Sequence, residues 1–216
     1  MRWVFMESLQ SELESRSLAL ALIQVVKMWS QHRYGSFLNA GPGEITKDWF
    51  NWFVGEWKVA RNITDGYKPQ VREYLNRHFR RAASACEDGG SVDTAAHYIK
   101  QRGWSSGLPT SLVSKIGFFL RPERFVPLDS FSVKGLNQLL KTSGAAKVNR
   151  KPYRPYLDAF DRMYAHFEPQ LKAALHEPWV IGMADQLGCP RTAVSSSAMR
   201  RKLFDDYLMH SAEYRA

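Results

Sequence analysis

Residues 107–136 read GLPTSLVSKIGFFLRPERFVPLDSFSVKGL. Leu108, Leu112, Ile116, Phe119 and Leu120 recur at helical spacing, which predicts a helix over 108–120. Lys115 lies three residues after Leu112 and one before Ile116, at the border of the apolar face. Pro122 ends that helix. Asp129 then precedes a second periodic run, at the natural N-cap position, where helix amides hold a carboxylate rigidly and keep it ionised. The stretch predicts two consecutive helices, one carrying an amine near its start and the next opened by a carboxylate.

The same periodicity extends outward. Residues 9–30 carry Leu13, Leu18, Leu22, Val26 and Trp29 and predict a mostly apolar helix. "ITKDWFNWFVGEW" predicts another, capped by Thr46 or Asp48. Over 69–85, Val71, Tyr74, Leu75, His78, Phe79 and Ala82 form one face, with the arginines elsewhere on the cylinder. Asp93 is placed to cap a helix over 94–102. Further helices are predicted over 155–174 and, as an amphipathic one, over 196–210. β-branched residues nowhere alternate over a strand length, and no repeat or low-complexity segment appears. The fold class read from this is all-α.

Bulk properties narrow the function. Lys and Arg outnumber Asp and Glu by 30 to 21, a net charge of +9. Such a surplus favours an anionic polymer, because cations on phosphates release counterions, so DNA is the expected partner. Cys86 and Cys189 stand far apart with no CxxC, which fits a reducing compartment. The six histidines show neither HxH nor HExxH spacing, so no metal is expected. No apolar run approaches the ~18 residues of a membrane span, and "MRWVFMESLQ" turns acidic too early for a signal peptide. A cytoplasmic protein with no membrane association and no evident protein partner is expected.

A lysine near a helix start is ordinarily solvated, and an aspartate there is ordinarily a cap. The pair gains meaning from a resemblance. "LPTSLVSK" followed by "FVPLDSFSVKGL" resembles the helix-hairpin-helix DNA glycosylases, especially their 8-oxoguanine-glycosylase-like branch. Those enzymes carry an LPGVG-type hairpin leading to a catalytic lysine, then a Pro-Val-Asp or Pro-Leu-Asp whose aspartate opens the next helix. The resemblance covers about 30 residues. It implies one glycosylase domain over 1–216, built as two helical lobes around a cleft, with a divergent helix-hairpin-helix and the catalytic segment at about 104–141. It matches Lys115 to the lysine and Asp129 to the aspartate, and places residues 108–114, Ser114 among them, against DNA. The chain departs from the pattern at Thr110 and Leu112, where the family prefers glycine, and in its Lys-to-Asp spacing of 14.

The implied chemistry uses both groups. Cleaving a base–sugar bond builds positive charge on the sugar, which a fixed carboxylate stabilises. A desolvated amine can attack the anomeric carbon and form a Schiff base, a route that also permits strand cleavage. No cofactor is needed. The target base must be flipped into a pocket with aromatic or apolar walls. The candidates are Trp104 in the loop "QRGWSSGLP", Trp29, His32, Trp49, Trp52, Phe53 and Trp57, each of which a plain core would also use. The loop "KVNRKPYRP" offers Lys147, Arg150, Lys151 and Arg154 to phosphates. The resemblance leaves two substrate classes. One is an oxidised or otherwise damaged purine. The other is a phage-modified cytosine such as glucosylated hydroxymethylcytosine, the target of antiviral prokaryotic members.

A second signal points to a non-enzymatic DNA-binding protein. In residues 181–202, Ala184, Leu187, Gly188 and Val194 fall where a helix-turn-helix has its small residue, turn glycine and recognition-helix valine. That unit would lay a helix over 191–202, with Arg191, Arg200 and Arg201, in a major groove. Gly188 as an ordinary helix C-cap is the plainer account.

Overall fold

The computed structural model describes residues 13–31, 44–64, 66–85 and 89–213. Among these residues the chain is all α-helical, with no strand and one isolated bridge between Ile63 and Ser105. In chain order the helices are α1 (Ser15–Ser30), α2 (Lys47–Glu56), α3 (Lys68–Tyr74), α4 (Arg80–Ala85), α5 (Gly90–Gln101), α6 (Thr110–Leu120), α7 (Ser130–Thr142), α8 (Tyr153–Leu175), α9 (Pro178–Gln186), α10 (Arg191–Val194) and α11 (Ser197–Glu213). A π-helical turn, Leu75–Phe79, joins α3 to α4. Among the described residues no helix is long and apolar enough to cross a membrane.

The chain divides into two compact units that alternate along the sequence. The first takes residues up to 35, then Asp129–Arg150 and Asp158–Ala216. The second takes Ser36–Leu128 and Lys151–Leu157.

At the centre of the first unit is α11, with α1 and α7 packed on it. Residues 201–208 are buried without a break, so α11 is enclosed rather than amphipathic as its sequence suggests. Phe204 meets Phe160, Tyr164 and Phe167 of α8. Burying one such ring fully is worth roughly 1.5–3 kcal/mol. Gly135 lets α7 reach the backbone of α11: a Cβ there would stand 2.1 Å from the Leu208 carbonyl oxygen. Glycine alone permits that approach. Residues 9–12 of the predicted helix over 9–30 lie outside the described residues; α1 begins at Ser15, where Glu14 takes the cap by accepting from the amides of Arg16 and Ser17.

The same enclosed helix carries charge. Lys202 Nζ donates to Asp205 Oδ2 at 3.1 Å and also to Asp206 Oδ1. Ser132 of α7 donates to Asp205 Oδ1 at 2.6 Å, and Gln24 of α1 to Asp206 Oδ1 at 3.0 Å. Burial pushes the Asp206 carboxyl up to about 7, against the pull of Lys202 and with the Asp205 charge adding to the rise. Burial works against the charged Lys202 amine, yet the two carboxylates outweigh it and hold the amine above its ordinary range.

In the second unit α5 and α6 pack together, joined by residues 102–109. Every residue of α6 except Ser111 is buried. Gly117 sits close under Phe125 and Phe79, leaving a Cβ only 3.2 and 3.4 Å from their rings. Tyr153, at the head of α8, donates its hydroxyl to the Val126 carbonyl at 2.8 Å and accepts from the Val126 amide at 3.0 Å. Asp93 departs from expectation. It lies inside the first turn of α5, and its carboxylate accepts from the amides of Tyr153 at 2.8 Å and Arg154 at 3.2 Å. It therefore caps α8, not the helix beside it in sequence. Thr46 caps α2 by accepting from the Trp49 amide at 3.2 Å.

Candidate functional site

The enclosed register of α6 turns Lys115 inward, leaving it 7% exposed. Its ammonium stands 5.0 Å from the ring centroid of Trp57. A cation over an indole face recovers part of the attraction it loses on leaving water. The surrounding rings come from α2 and its C-cap. Trp49 stacks on Phe53 at 4.8 Å, and Trp52 meets Trp49 edge-on at 6.2 Å. Phe119, one turn along α6 from Lys115, stands edge-on to Trp49, Phe53 and Trp57. Four of the predicted pocket walls, Trp49, Trp52, Phe53 and Trp57, thus gather in one cluster with the predicted nucleophile.

Asp129 takes the N-cap position read from the sequence. It is half-buried, and its Oδ1 accepts from the Phe131 amide at 3.0 Å. Lys115 belongs to the second unit, and Asp129 opens the middle segment of the first. Leu128, the residue before Asp129, is gripped on both backbone groups by hydroxyls of α6. Ser111 donates to its carbonyl at 2.8 Å, and Ser114 accepts from its amide at 3.0 Å. Ser114 is fully buried and also donates to the Ser111 carbonyl at 3.1 Å. Its hydroxyl is committed to holding Leu128, not to a phosphate.

The other predicted site residues scatter. Trp29 is 3% exposed and lies in the core of the first unit. Trp104 is half-buried in a separate aromatic group with Tyr74 and Tyr98. Lys147 and Arg150 are exposed in the first unit, and Lys151 and Arg154 in the second. His32 lies outside the described residues.

The predicted recognition helix over 191–202 is not continuous. Gly188 makes the expected turn with φ +68°, but α10 stops at Val194 and α11 starts at Ser197. Its arginines are engaged within the fold. Arg191 pairs with Asp185 at 2.7 Å, and Arg200 with Glu168 at 3.1 Å. Arg201 is buried against Asp161 at 2.7 Å and lies over the Phe160 and Tyr164 rings.

Sequence reasoning missed two features. One is the grouping of Tyr74, His78 and Tyr98 around Trp104. Its sequence sign is the four-residue spacing of Tyr74 and His78, which puts both on one face of the 69–85 pattern. The other is the Lys202–Asp205–Asp206 cluster, signalled by a lysine followed at three and four residues by acids. Among the described residues no group of three His, Cys, Asp or Glu is placed to hold a metal ion. No family model, curated protein or solved structure matches this chain.

Proposed function

We propose that this protein is a DNA glycosylase that flips a modified base from DNA and cleaves its N-glycosidic bond. The observation that carries the reading is Lys115: an amine held almost wholly out of water inside an aromatic cluster, on the helix where the resemblance calls for a nucleophile. Asp129 supports it, because a capping carboxylate is fixed before the reaction begins and costs no reorganisation as charge develops. The exposed bases Lys147, Arg150, Lys151 and Arg154 supply phosphate contacts.

In this mechanism Asp129 stabilises the positive charge that grows on the sugar as the base departs. The Lys115 ammonium first gives up its proton, and the freed lone pair attacks C1′. The C1′–N bond breaks, and the base leaves with the bonding electrons and takes up a proton. The lysine nitrogen loses a proton and the sugar ring opens, giving an imine that water hydrolyses. The substrate is an oxidised or damaged purine or a phage-modified cytosine such as glucosylated hydroxymethylcytosine. The break at Ser195–Ser196 and the committed arginines weigh against the helix-turn-helix alternative.

The test is mass spectrometry of free bases. The DNAs are oxidised, alkylated and uracil-containing duplexes, and phage genomes with plain, hydroxymethylated or glucosylated cytosine. One base is released by the wild type, and Asp129→Asn lowers its rate roughly 100- to 1,000-fold. Borohydride traps a covalent protein–DNA adduct that Lys115→Gln no longer forms. Silence on every DNA by a folded protein overturns the proposal.

A further inference from the structure

A concave site in the second unit lies apart from the Lys115 cluster and shares no residue with it. It holds about 470 Å³, and its floor is aromatic: Tyr74, His78, Tyr98 and Trp104. Tyr74 stacks on Tyr98 with centroids 4.4 Å apart and planes within 10°, and stacks on His78 at 5.5 Å. Trp104 stands across this stack, 6.4 Å from Tyr74 and 5.9 Å from Tyr98. Arg72 and Arg77 line the rim with Glu73, which pairs with both.

The site is held firmly from below. Trp104 donates its amide to the Ile99 carbonyl at 3.2 Å and accepts from the Thr64 amide at 3.0 Å. Arg102 donates to the Tyr98 hydroxyl at 3.0 Å. The π-helical turn Leu75–Phe79 begins immediately after Tyr74 and includes Arg77 and His78. Such turns recur at functional sites because they re-aim side chains that a regular helix would direct elsewhere. Burial, with the neighbouring Tyr98, raises the Tyr74 hydroxyl above its ordinary range, so the ring stays neutral.

Aromatic floors accept either a cation or a flat π-system, and the charge of the rim decides between them. Two arginines against one glutamate repel a cation and attract an anion. A flat π-system joined to an anion is a nucleobase with its phosphate. The volume suits one nucleotide and is too small for a duplex. Arg72 is held by the Ile45 carbonyl at 3.2 Å, whereas Arg77, though paired with Glu73, is 72% exposed and open to a phosphate.

We infer that this groove binds one unpaired nucleobase of single-stranded DNA, stacked against the Tyr74–Trp104 aromatic surface with its phosphate on Arg77. The inference goes beyond base excision and needs no catalysis. It is tested by fluorescence anisotropy on the full chain carrying Asp129→Asn, so that a failure of the excision chemistry leaves the readout intact. The probes are labelled dT10, the same backbone without bases, and a blunt duplex of equal length. Binding of dT10 exceeds that of the abasic backbone. Trp104→Ala weakens dT10 about tenfold or more while leaving the abasic backbone unchanged, and Trp104→Phe restores most of the loss. Arg77→Ala, at an exposed position, lowers the salt slope by about one. Competition by free dTMP identifies a site that takes the mononucleotide alone, and absence of competition one that needs the strand. Equal binding of dT10 and the abasic backbone, or dT10 binding untouched by folded Trp104→Ala and Arg77→Ala, overturns the inference.

Discussion

The two units bury positive charge in opposite ways. In the first, Lys202 is 2% exposed and is met by two carboxylates, a closed cluster tied to α1 by Gln24 and to α7 by Ser132. In the second, Lys115 is 7% exposed and is met by an indole face. Opposite charge neutralises a cation and leaves it nothing further to do. An aromatic face attracts the ammonium and so lowers the cost of burying it. One cation is held by opposite charge between helices, and the other lies over a ring.

That contrast breaks most visibly at Lys202. Lys202→Ala leaves two carboxylates buried without their cation, and urea denaturation shows a loss of about 3–5 kcal/mol. A neutral result would mean that the carboxylates are satisfied by Ser132 and Gln24 alone. Next comes Gly135→Ala, which drives a methyl into the Leu208 carbonyl and costs about 1–3 kcal/mol by the same measurement.

Lys115→Met sharpens the comparison from the other side. It exchanges the buried amine for an apolar chain of similar length and removes its attraction to the Trp57 ring, so stability falls by about 1–2 kcal/mol, less than at Lys202. Base release, the activity proposed for this protein, nevertheless disappears. Equal losses of stability at Lys115 and Lys202 would erase the distinction between the two.

A further effect is one of pH. Asp206 holds its proton in the folded state up to about 7, whereas the unfolded group releases it near 3.8. The folded state therefore binds more protons across that window, and this contribution to stability is lost as pH rises through 7. Urea midpoints of the wild type decline from pH 5 to pH 8 more steeply than those of Asp206→Asn. Parallel profiles would place the titration elsewhere.

Local signals in the sequence were readable where one turn of chain contains the whole cause. Asp129 and Thr46 cap their helices because the acceptor and the amide it binds are two or three residues apart. Asp93 has the same local signature, but its partners are the amides of Tyr153 and Arg154, about 60 residues away. Nothing within one turn of Asp93 could have chosen between the two helices. α11 misled for a related reason: Lys202, Asp205 and Asp206 look like a solvated face until α1 and α7 are packed over them. Lys115 lies at the edge of an apolar stripe in the sequence, and Trp57, the C-cap of α2 and more than 50 positions earlier, stands over its ammonium. The aromatic groove draws on α3, α5 and the 102–109 loop at once, so no single window contains it.

The hydroxyl of Tyr153 carries one further consequence. It satisfies both backbone groups of Val126, yet it is reached only after the chain has left the second unit and returned. The second unit is therefore not a cassette. A fragment ending at Leu128 would lack the segment that closes its own interior, and transplanting residues 36–128 into another host would export an unfinished core. Any exchange of this unit between proteins has to carry residues 151–157 with it as a second, separate splice.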